Sequence, residues 1–511
     1  MIVMNNLIWS IDQVASQHPT TIAYDELGRL NTYQDLKNYS DALAAWLDQN
    51  SALDLHQPVL FYGDHQFTMV AGFIGTLKSG HPYIPVETGT ASTRLASIIE
   101  TGQPGLVVAI DDFPASEVNY HGPVLTSDQL TEIMHHQVNY QLDHVVDGDQ
   151  LFYILFTSGT TGSPKGVEIS HDNINSFAKW MLSDDFKIPQ GQTFLGQPPY
   201  SFDLSGMFWL PALLSGGTIK ALPSEVVKNF GQLFTVLPSL DLNVYVSTPS
   251  LADMLMLSPD FSETKMPGLT HFLFCGEELT VNTAKRLKER FPHAHIFNTY
   301  GPTEAAVAIT SVEITQEMVD TLKRLPVGKV KANTTTSIWD GDQEITTPKT
   351  EGELVITGDS VARGYLNNPT KTQQNFFKLN GIQSYRTGDA AMIDEDGMHY
   401  IVGRMDFQIK LHGFRIELDE VRSSIETSPL VKQAVAVPKY DANHRATHLI
   451  AYIIPNESVD DEAEFTKTLR NDLKDRVMEY MMPTQFVYVD DFPKSANGKI
   501  AIKQMIAEAN Q

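Results

Sequence analysis

Short apolar runs of strand length alternate with helix-like stretches through the first two thirds of the chain, and this alternation restricts the fold more than any single motif. "PVLFYG" at 58–63 precedes "FTMVAGFIGTLKSG", which leads into "YIPV". The rhythm recurs through "GLVVAI" at 105–110, "TIKALP" at 218–223, "LNVYVSTP" at 242–249 and "HFLFCGEEL" at 271–279. Strands alternating with helices predict an α/β fold, layered, with mainly parallel sheets. Ahead of them, "TYQDLKNYSDALAAWL" at 32–47 sets Leu36, Tyr39, Leu43 and Trp46 on one helical face, with Thr32 and Asp35 as a cap. "EGELVITG" at 351–358 adds a late strand.

At 511 residues the chain exceeds the size at which one core stops growing, so at least two domains are expected. The organisation changes near residue 405. "ELDEVRSSI" and "FTKTLRNDLKDRVMEYM" (465–481) read as helices, and "VKQAVAVP", "HLIAYIIP" and "QFVYVDDFP" as strands. This predicts a large domain over 1–404 and a small α+β domain over 405–511, joined at "GRMDFQIK" (403–410), which is short enough for a hinge.

Composition narrows the function. Lys and Arg number 37 against 62 Asp and Glu, a formal charge of −25 spread along the chain, which argues against nucleic acid as a partner. No apolar run approaches the roughly 18 residues of a membrane helix. The start, "MIVMNNLIWSIDQ", lacks the regions of a signal peptide, so a cytoplasmic location is expected. A lone cysteine, Cys275, rules out an internal disulfide and a Cys-rich metal site.

The stretch "FTSGTTGSPKG" from 156 gathers small and hydroxylated residues before Lys165 and reads as a phosphate cradle. It is not a Walker A loop, because Pro164 stands five residues after Gly159. Further on come "NTYGPTEA" at 298, "GELVITGDSVARGYL" at 352, "YRTGDAA" at 385, "GRMDFQIKLHGFRIELDEV" at 403 and "PKSANGKI" at 493. In this order they resemble the adenylate-forming superfamily of acyl-CoA synthetases, peptide-synthetase adenylation domains and luciferases, over nearly the whole chain. The resemblance implies a two-step ligase using ATP and Mg2+: a carboxylate displaces pyrophosphate from ATP, then a thiol displaces AMP from the acyl-adenylate. It assigns Thr157, Ser158, Gly159, Thr160, Thr161, Gly162 and Lys165 to the outgoing phosphates. Asn298, Thr299, Tyr300, Gly301, Pro302 and Thr303 fall to the nucleotide, with Tyr300 at adenine and Thr303 at the α-phosphate. Glu304 falls to magnesium, Asp389 to the ribose, Arg404 and Tyr400 to its vicinity. Lys499 becomes the residue that bridges carboxylate and α-phosphate, carried in and out by a small domain that is mobile about Asp406.

For the acid, "PYSFDLS" places Asp203 where peptide-synthetase-like members pair an aspartate with a substrate ammonium. Cys275 would line the acyl pocket and restrict it to a tiny side chain, and Val307 would add a backbone contact to the amino group. The wording of "FCGEEL", "HIFNTYGPTEA" and "KLHGFRIELDEV" looks close to the stand-alone ligases of Gram-positive bacteria that load D-alanine on the phosphopantetheine of a small acidic carrier protein for teichoic acid D-alanylation. An acyl-CoA synthetase acting on another small acid is the alternative, and a decayed nucleotide-binding regulator a third. Arg415, Lys410 and Lys432 are expected to form a basic patch for the acidic carrier.

Overall fold

The structure is a computed structural model that describes residues 6–49, 53–157, 164–405, 408–411, 413–441, 445–459, 461–474, 476–494 and 500–510. Within these, the apolar runs become strands of two large sheets. One has the order Val124–Leu125, Leu106–Ala109, Val59–Gly63, Tyr83–Glu87, Leu151–Thr157, Lys165–Ser170, parallel except at its last pair. The other runs from Lys329–Val330 through Thr310–Glu313, His295–Tyr300, His271–Phe274, Val244–Ser247, Thr193–Gly196, Thr218–Ala221 and Ile22–Glu26 to Arg29–Thr32. Its strands from His295–Tyr300 to Ile22–Glu26 are all parallel. Every residue of Val59–Gly63 and of Val244–Ser247 is buried, because a parallel sheet covered on both faces leaves no polar side. That is why these strands read as continuous apolar runs.

The predicted helix appears as Tyr33–Gln49, and its cap is built as expected. The Thr32 N–H and hydroxyl both donate to the Asp35 carboxylate at 2.7 Å, and the Asp35 N–H returns a bond to the Thr32 hydroxyl at 3.1 Å.

A third sheet was legible only at Gly352–Gly358. It is antiparallel, ordered Gln343–Ile345, Thr334–Asp340, Gly352–Gly358, Ile382–Ile393, Phe376–Leu379, with His399–Arg404 pairing farther along the same edge of Ile382–Ile393 as Phe376–Leu379. Its strands alternate between buried and half-buried positions, so they present no apolar run.

The C-terminal domain holds a hairpin, Gln408–Leu411 with Phe414–Glu417, and a three-stranded sheet of Val431–Tyr440, Ala446–Pro455 and Gln485–Tyr488. The helix read over 465–481 is corrected: it spans Glu462–Leu473, and among the described residues beyond it the one helical turn before Gln485–Tyr488 is Glu479–Met481. Val477, Met478 and Met481 are buried there, and tertiary packing of this kind overrides helical propensity. No described helix is long and apolar enough to cross a membrane.

Candidate active site

The site lies where parallel strands end. Thr157 closes Leu151–Thr157, Tyr300 closes His295–Tyr300, and Cys275 immediately follows His271–Phe274. Carboxyl ends of parallel strands are where open α/β sheets form their ligand crevices. Asp389 arrives from the third sheet on Ile382–Ile393, and Arg404 is its register partner on His399–Arg404. A cavity of about 50 Å³ is lined at once by Asp203, Cys275, Tyr300, Thr303, Asp389 and Arg404, with Gly413 and Arg415 of the hairpin closing it.

Around Asp389 three of the expected residues meet. The Tyr300 hydroxyl donates to Asp389 Oδ2, and Arg404 Nη1 donates to Asp389 Oδ1 at 2.8 Å and to the Thr387 carbonyl at 2.9 Å. Asn298 and Thr299 turn their side chains to the Pro326 and Phe274 carbonyls at 2.7 and 2.8 Å, so they fix the strand and leave its backbone at the site. Gly301 has no alternative: a Cβ there would stand 2.5 Å from Ala308 Cα. The neighbouring space, about 330 Å³, is lined by Tyr300, Asp389, Arg404, Gly276 and Asn298.

Glu304 is fully buried. Burial alone would raise its pKa, but Arg415 and Lys165 outweigh that and hold the carboxyl down at about 2. Arg415 Nη1 donates to one carboxylate oxygen and the Tyr365 hydroxyl to the other, each at 2.8 Å. Lys165 is buried 5.2 Å above the Tyr365 ring, and burial, together with Arg415, lowers its pKa. The Thr157 hydroxyl is buried and has no hydrogen-bond partner among the described residues.

Asp203 opens a short turn that feeds the buried helix Gly206–Leu214. Burial pushes its carboxyl up to about 6, despite the nearby Thr303 hydroxyl and Leu204 N–H. Cys275 Sγ lies 3.9 Å from the Val307 carbonyl, and burial raises the thiol pKa, so it is a poor thiolate. Ala306 and Val307 both have positive φ, 52° and 73°. For a β-branched residue this is a strained conformation, and it turns the Val307 carbonyl toward Cys275.

A family model described as AMP-binding enzyme matches residues 11–366, and a second, AMP-binding enzyme C-terminal domain, matches 420–499. The chain belongs to the AMP-binding enzyme family. It is 50% identical over 512 residues, covering 99% of this chain and 100% of the relative, to a D-alanine--D-alanyl carrier protein ligase of Lactiplantibacillus plantarum. It is 46% identical, with full coverage of both, to the ligase of the same name from Streptococcus agalactiae. Among solved structures it resembles o-succinylbenzoate CoA synthetase from Bacillus subtilis, with TM-score 0.83, 19% identity and 97% of each chain covered. It also resembles the Vibrio cholerae adenylation domain AlmE, with TM-score 0.80, 18% identity and 99% of each covered. Both confirm the fold of an AMP-binding enzyme.

Within that fold some expectations need correction. Arg415 and Lys410 do not form a surface patch. Arg415 is drawn into the site by Glu304, and Lys410 Nζ lies 5.8 Å from the centre of the Tyr300 ring. Lys410 and Lys432 are both exposed, but Lys410 stands at the mouth of the site and Lys432 apart from it. Tyr400 sits near Asp394 and Lys349, does not line the cavities around Asp389, and lies four residues before Arg404 on the same strand. Ser158, Gly159, Thr160, Thr161, Gly162, Asp406 and Lys499 lie outside the described residues. Tyr365 was missed as a partner of Glu304. Its only signal was its place in "VARGYL", a stretch that carries no chemistry until the fold brings it to the site.

Proposed function

We propose that this chain activates D-alanine with ATP to D-alanyl-AMP and pyrophosphate, then transfers the D-alanyl group to the phosphopantetheine thiol of a carrier protein with release of AMP. The product would serve D-alanylation of teichoic acid. The observation that carries the reading is the small cavity in which the buried Asp203 carboxyl, Cys275, the Asp389–Arg404–Tyr300 cluster and Thr303 share one wall-to-wall space. At about 50 Å³ it has room for only a few heavy atoms, which suits a small amino acid. An unpaired buried carboxylate is costly, and the ammonium of an amino acid would relieve Asp203.

In the first step the carboxylate of D-alanine attacks the α-phosphorus. Thr157, residues 158–162 and Lys165 would hold the departing pyrophosphate, Asp389 the ribose and Tyr300 the adenine face, while Lys499 would bridge carboxylate and α-phosphate. Positioning and charge neutralisation account for most of such a reaction. Magnesium fits the same site. Glu304 would hold it: the carboxylate is buried and ionised, its present cations are Arg415 and Lys165, and withdrawal of Arg415 with the C-terminal domain would leave an oxygen for the metal, with the Thr303 hydroxyl nearby. When bound, the ion would neutralise phosphate charge. In the second step the thiol attacks the acyl carbonyl and the C–O bond to AMP breaks.

The arrangement described here suits that second step. Gly413 N–H donates to Glu277 at 2.6 Å, Phe414 stacks on Tyr480 with centroids 3.8 Å apart, and Arg415 occupies Glu304. A channel of about 660 Å³, lined by His65, Phe202, Thr248, Phe414 and Arg445, reaches the same hairpin and would admit a pantetheine arm. The small domain from residue 405 would turn about Asp406 to exchange this arrangement for the one that brings in Lys499.

The test is pyrophosphate exchange into ATP with D-alanine, L-alanine, glycine, D-serine, acetate and a long-chain fatty acid. D-alanine-dependent exchange is the expected result. Exchange with acetate or the fatty acid, followed by transfer to coenzyme A, would move the chain to the acyl-CoA synthetases.

A further inference from the structure

The helix Ser92–Gly102 of the large domain begins under the C-terminal domain and ends beside the strand that leads into the phosphate-binding stretch. Over residues 91–94 it makes three cross-domain contacts. The Ala91 N–H points at Met478 Sδ at 3.3 Å, the Thr93 hydroxyl reaches the Arg476 carbonyl at 3.5 Å, and Arg94 Nη1 donates to Glu420 at 2.6 Å. Glu420 belongs to the helix Leu418–Glu426, directly after the hairpin that seats Phe414 and Arg415. The same guanidinium reaches back with Nη2 to the Phe156 carbonyl at 3.4 Å, one residue before Thr157. At its far end the helix is pinned to the large domain: the Thr101 carbonyl accepts from Asn367 Nδ2 at 2.8 Å, and a Cβ on Gly102 would stand 2.9 Å from Ile84 and 3.5 Å from Phe156.

The Arg94 and Glu420 side chains are only 12% and 6% exposed. Burial disfavours the Arg94 charge, yet Tyr480, Glu420 and the neighbouring Glu87 raise its pKa overall. A buried ion pair gains little stability over an apolar pair of the same volume, so stability alone is a weak reason for this one. Its geometry supplies a better one, because a single planar fork touches both the moving domain and the strand leading to the phosphates. Neither the nucleotide nor the amino acid reading uses Arg94.

We propose that Arg94 is a positioning residue for the thiol-transfer half-reaction, coupling the seating of the C-terminal domain through Glu420 to the Phe156 backbone at the root of the phosphate-binding loop. The inference rests on the two-step reading above. With the C-terminal domain turned away, Glu420 leaves Arg94, and Glu87 remains beside it to balance the charge. Adenylation therefore does not need the pair, whereas transfer does.

Two half-reactions and one distance test this. Pyrophosphate exchange with D-alanine and single-turnover transfer from D-alanyl-AMP to a pantetheine thiol are measured for Arg94→Gln, Arg94→Lys, Glu420→Gln and the double Arg94→Gln/Glu420→Gln variant. Dyes on introduced cysteines at the exposed positions Gln129 and Lys467 report the distance between the two domains. Both glutamine variants are expected to keep exchange within about twofold and to lose transfer by about tenfold or more, with the double variant no worse than either single. Arg94→Lys keeps one donor and should recover transfer only in part. The dyes should report a smaller population of the short distance in each glutamine variant. Equal losses in both half-reactions, additive losses in the double variant, or unchanged distance and transfer would overturn the proposal. Absence of D-alanine-dependent exchange in the wild type would instead sink the two-step reading, while the distance comparison would still decide whether Arg94 seats the domain.

Discussion

At the scale of single residues the site is governed by buried carboxylates whose charge has to be matched. Asp203, raised to about 6 by burial, is neutral below that pH and ionised above it in the empty protein. Its folded pKa lies above the unfolded one, so it costs no stability at low pH and costs increasingly as pH climbs from about 4 to 6. In the proposed amino acid site the ammonium of D-alanine would pair only with the ionised form. The apparent affinity for D-alanine should therefore rise with pH through about 6 and level off above it. Asp203→Asn should weaken that affinity by about 10- to 100-fold and flatten the profile, which exchange assays across pH 5 to 8 would read. A variant with wild-type affinity and the same pH rise would remove Asp203 from the amino acid site. Glu304 works in the opposite sense. Its carboxyl is held at about 2, so the stability it contributes with Arg415 is present above about 4.5 and is lost as pH falls toward 2. Arg415→Met should leave that carboxylate buried with less compensation. We expect a loss of about 3 kcal/mol in denaturant unfolding of the protein at neutral pH, shrinking as the medium is acidified toward pH 3.

At the scale of elements, the proposed cycle makes the hairpin Gln408–Leu411 with Phe414–Glu417 the part that decides which arrangement the site takes. Gly413 sits at its turn with φ of 86°, and a Cβ there would come 2.4 Å from Thr248 Cγ2. Gly413→Ala thus combines a left-handed backbone with a collision against the large domain, and the collision acts only when the hairpin is seated. The expected outcome is transfer slowed by about tenfold or more with exchange near normal, measured as separate half-reactions; an equal effect on both would mean that the hairpin is needed in each. The hairpin also shows what sequence can and cannot convey. "KLHGFRIELDEV" was legible as a family motif, and Leu418, Val421 and Ile425 as a helical face. That Arg415 points into the site was not legible, because it depends on Glu304, 111 residues away, and on the seating of one domain against another. The parallel strands were readable since burial on both faces leaves uninterrupted apolar runs. The antiparallel sheet that supplies Asp389 was readable only at Gly352–Gly358, because its half-exposed strands look like loops at the level of hydropathy.

At the scale of the whole molecule, one cavity has to serve two chemistries, and the C-terminal domain provides the means. Here it closes the cavity with Gly413 and Arg415 and is held by Arg94–Glu420 at one side and by Arg445 on Asp253 at 2.6 Å at the other. Every one of these contacts joins residues on either side of the joint at 403–410, so all of them would break together in the proposed turn of the domain. Thr157, Lys165, Asp389 and Asp203 lie before the joint and would stay with the large domain throughout. A residue that acts after the joint can therefore belong to one half-reaction without touching the other. Lys499, near the end of the chain, is the clearest case: Lys499→Ala is expected to lower D-alanine-dependent pyrophosphate exchange by about a hundredfold or more. Transfer from supplied D-alanyl-AMP to the thiol should stay within about twofold of wild type, since the arrangement with Arg415 on Glu304 already fills the cavity from the C-terminal side. Loss of both activities would mean that Lys499 also supports the seated arrangement, and loss of neither would remove it from the chemistry. Set beside Gly413→Ala, the pair of variants divides the reaction in opposite directions. That outcome is what a single site with an alternating domain requires and what two independent sites would not produce.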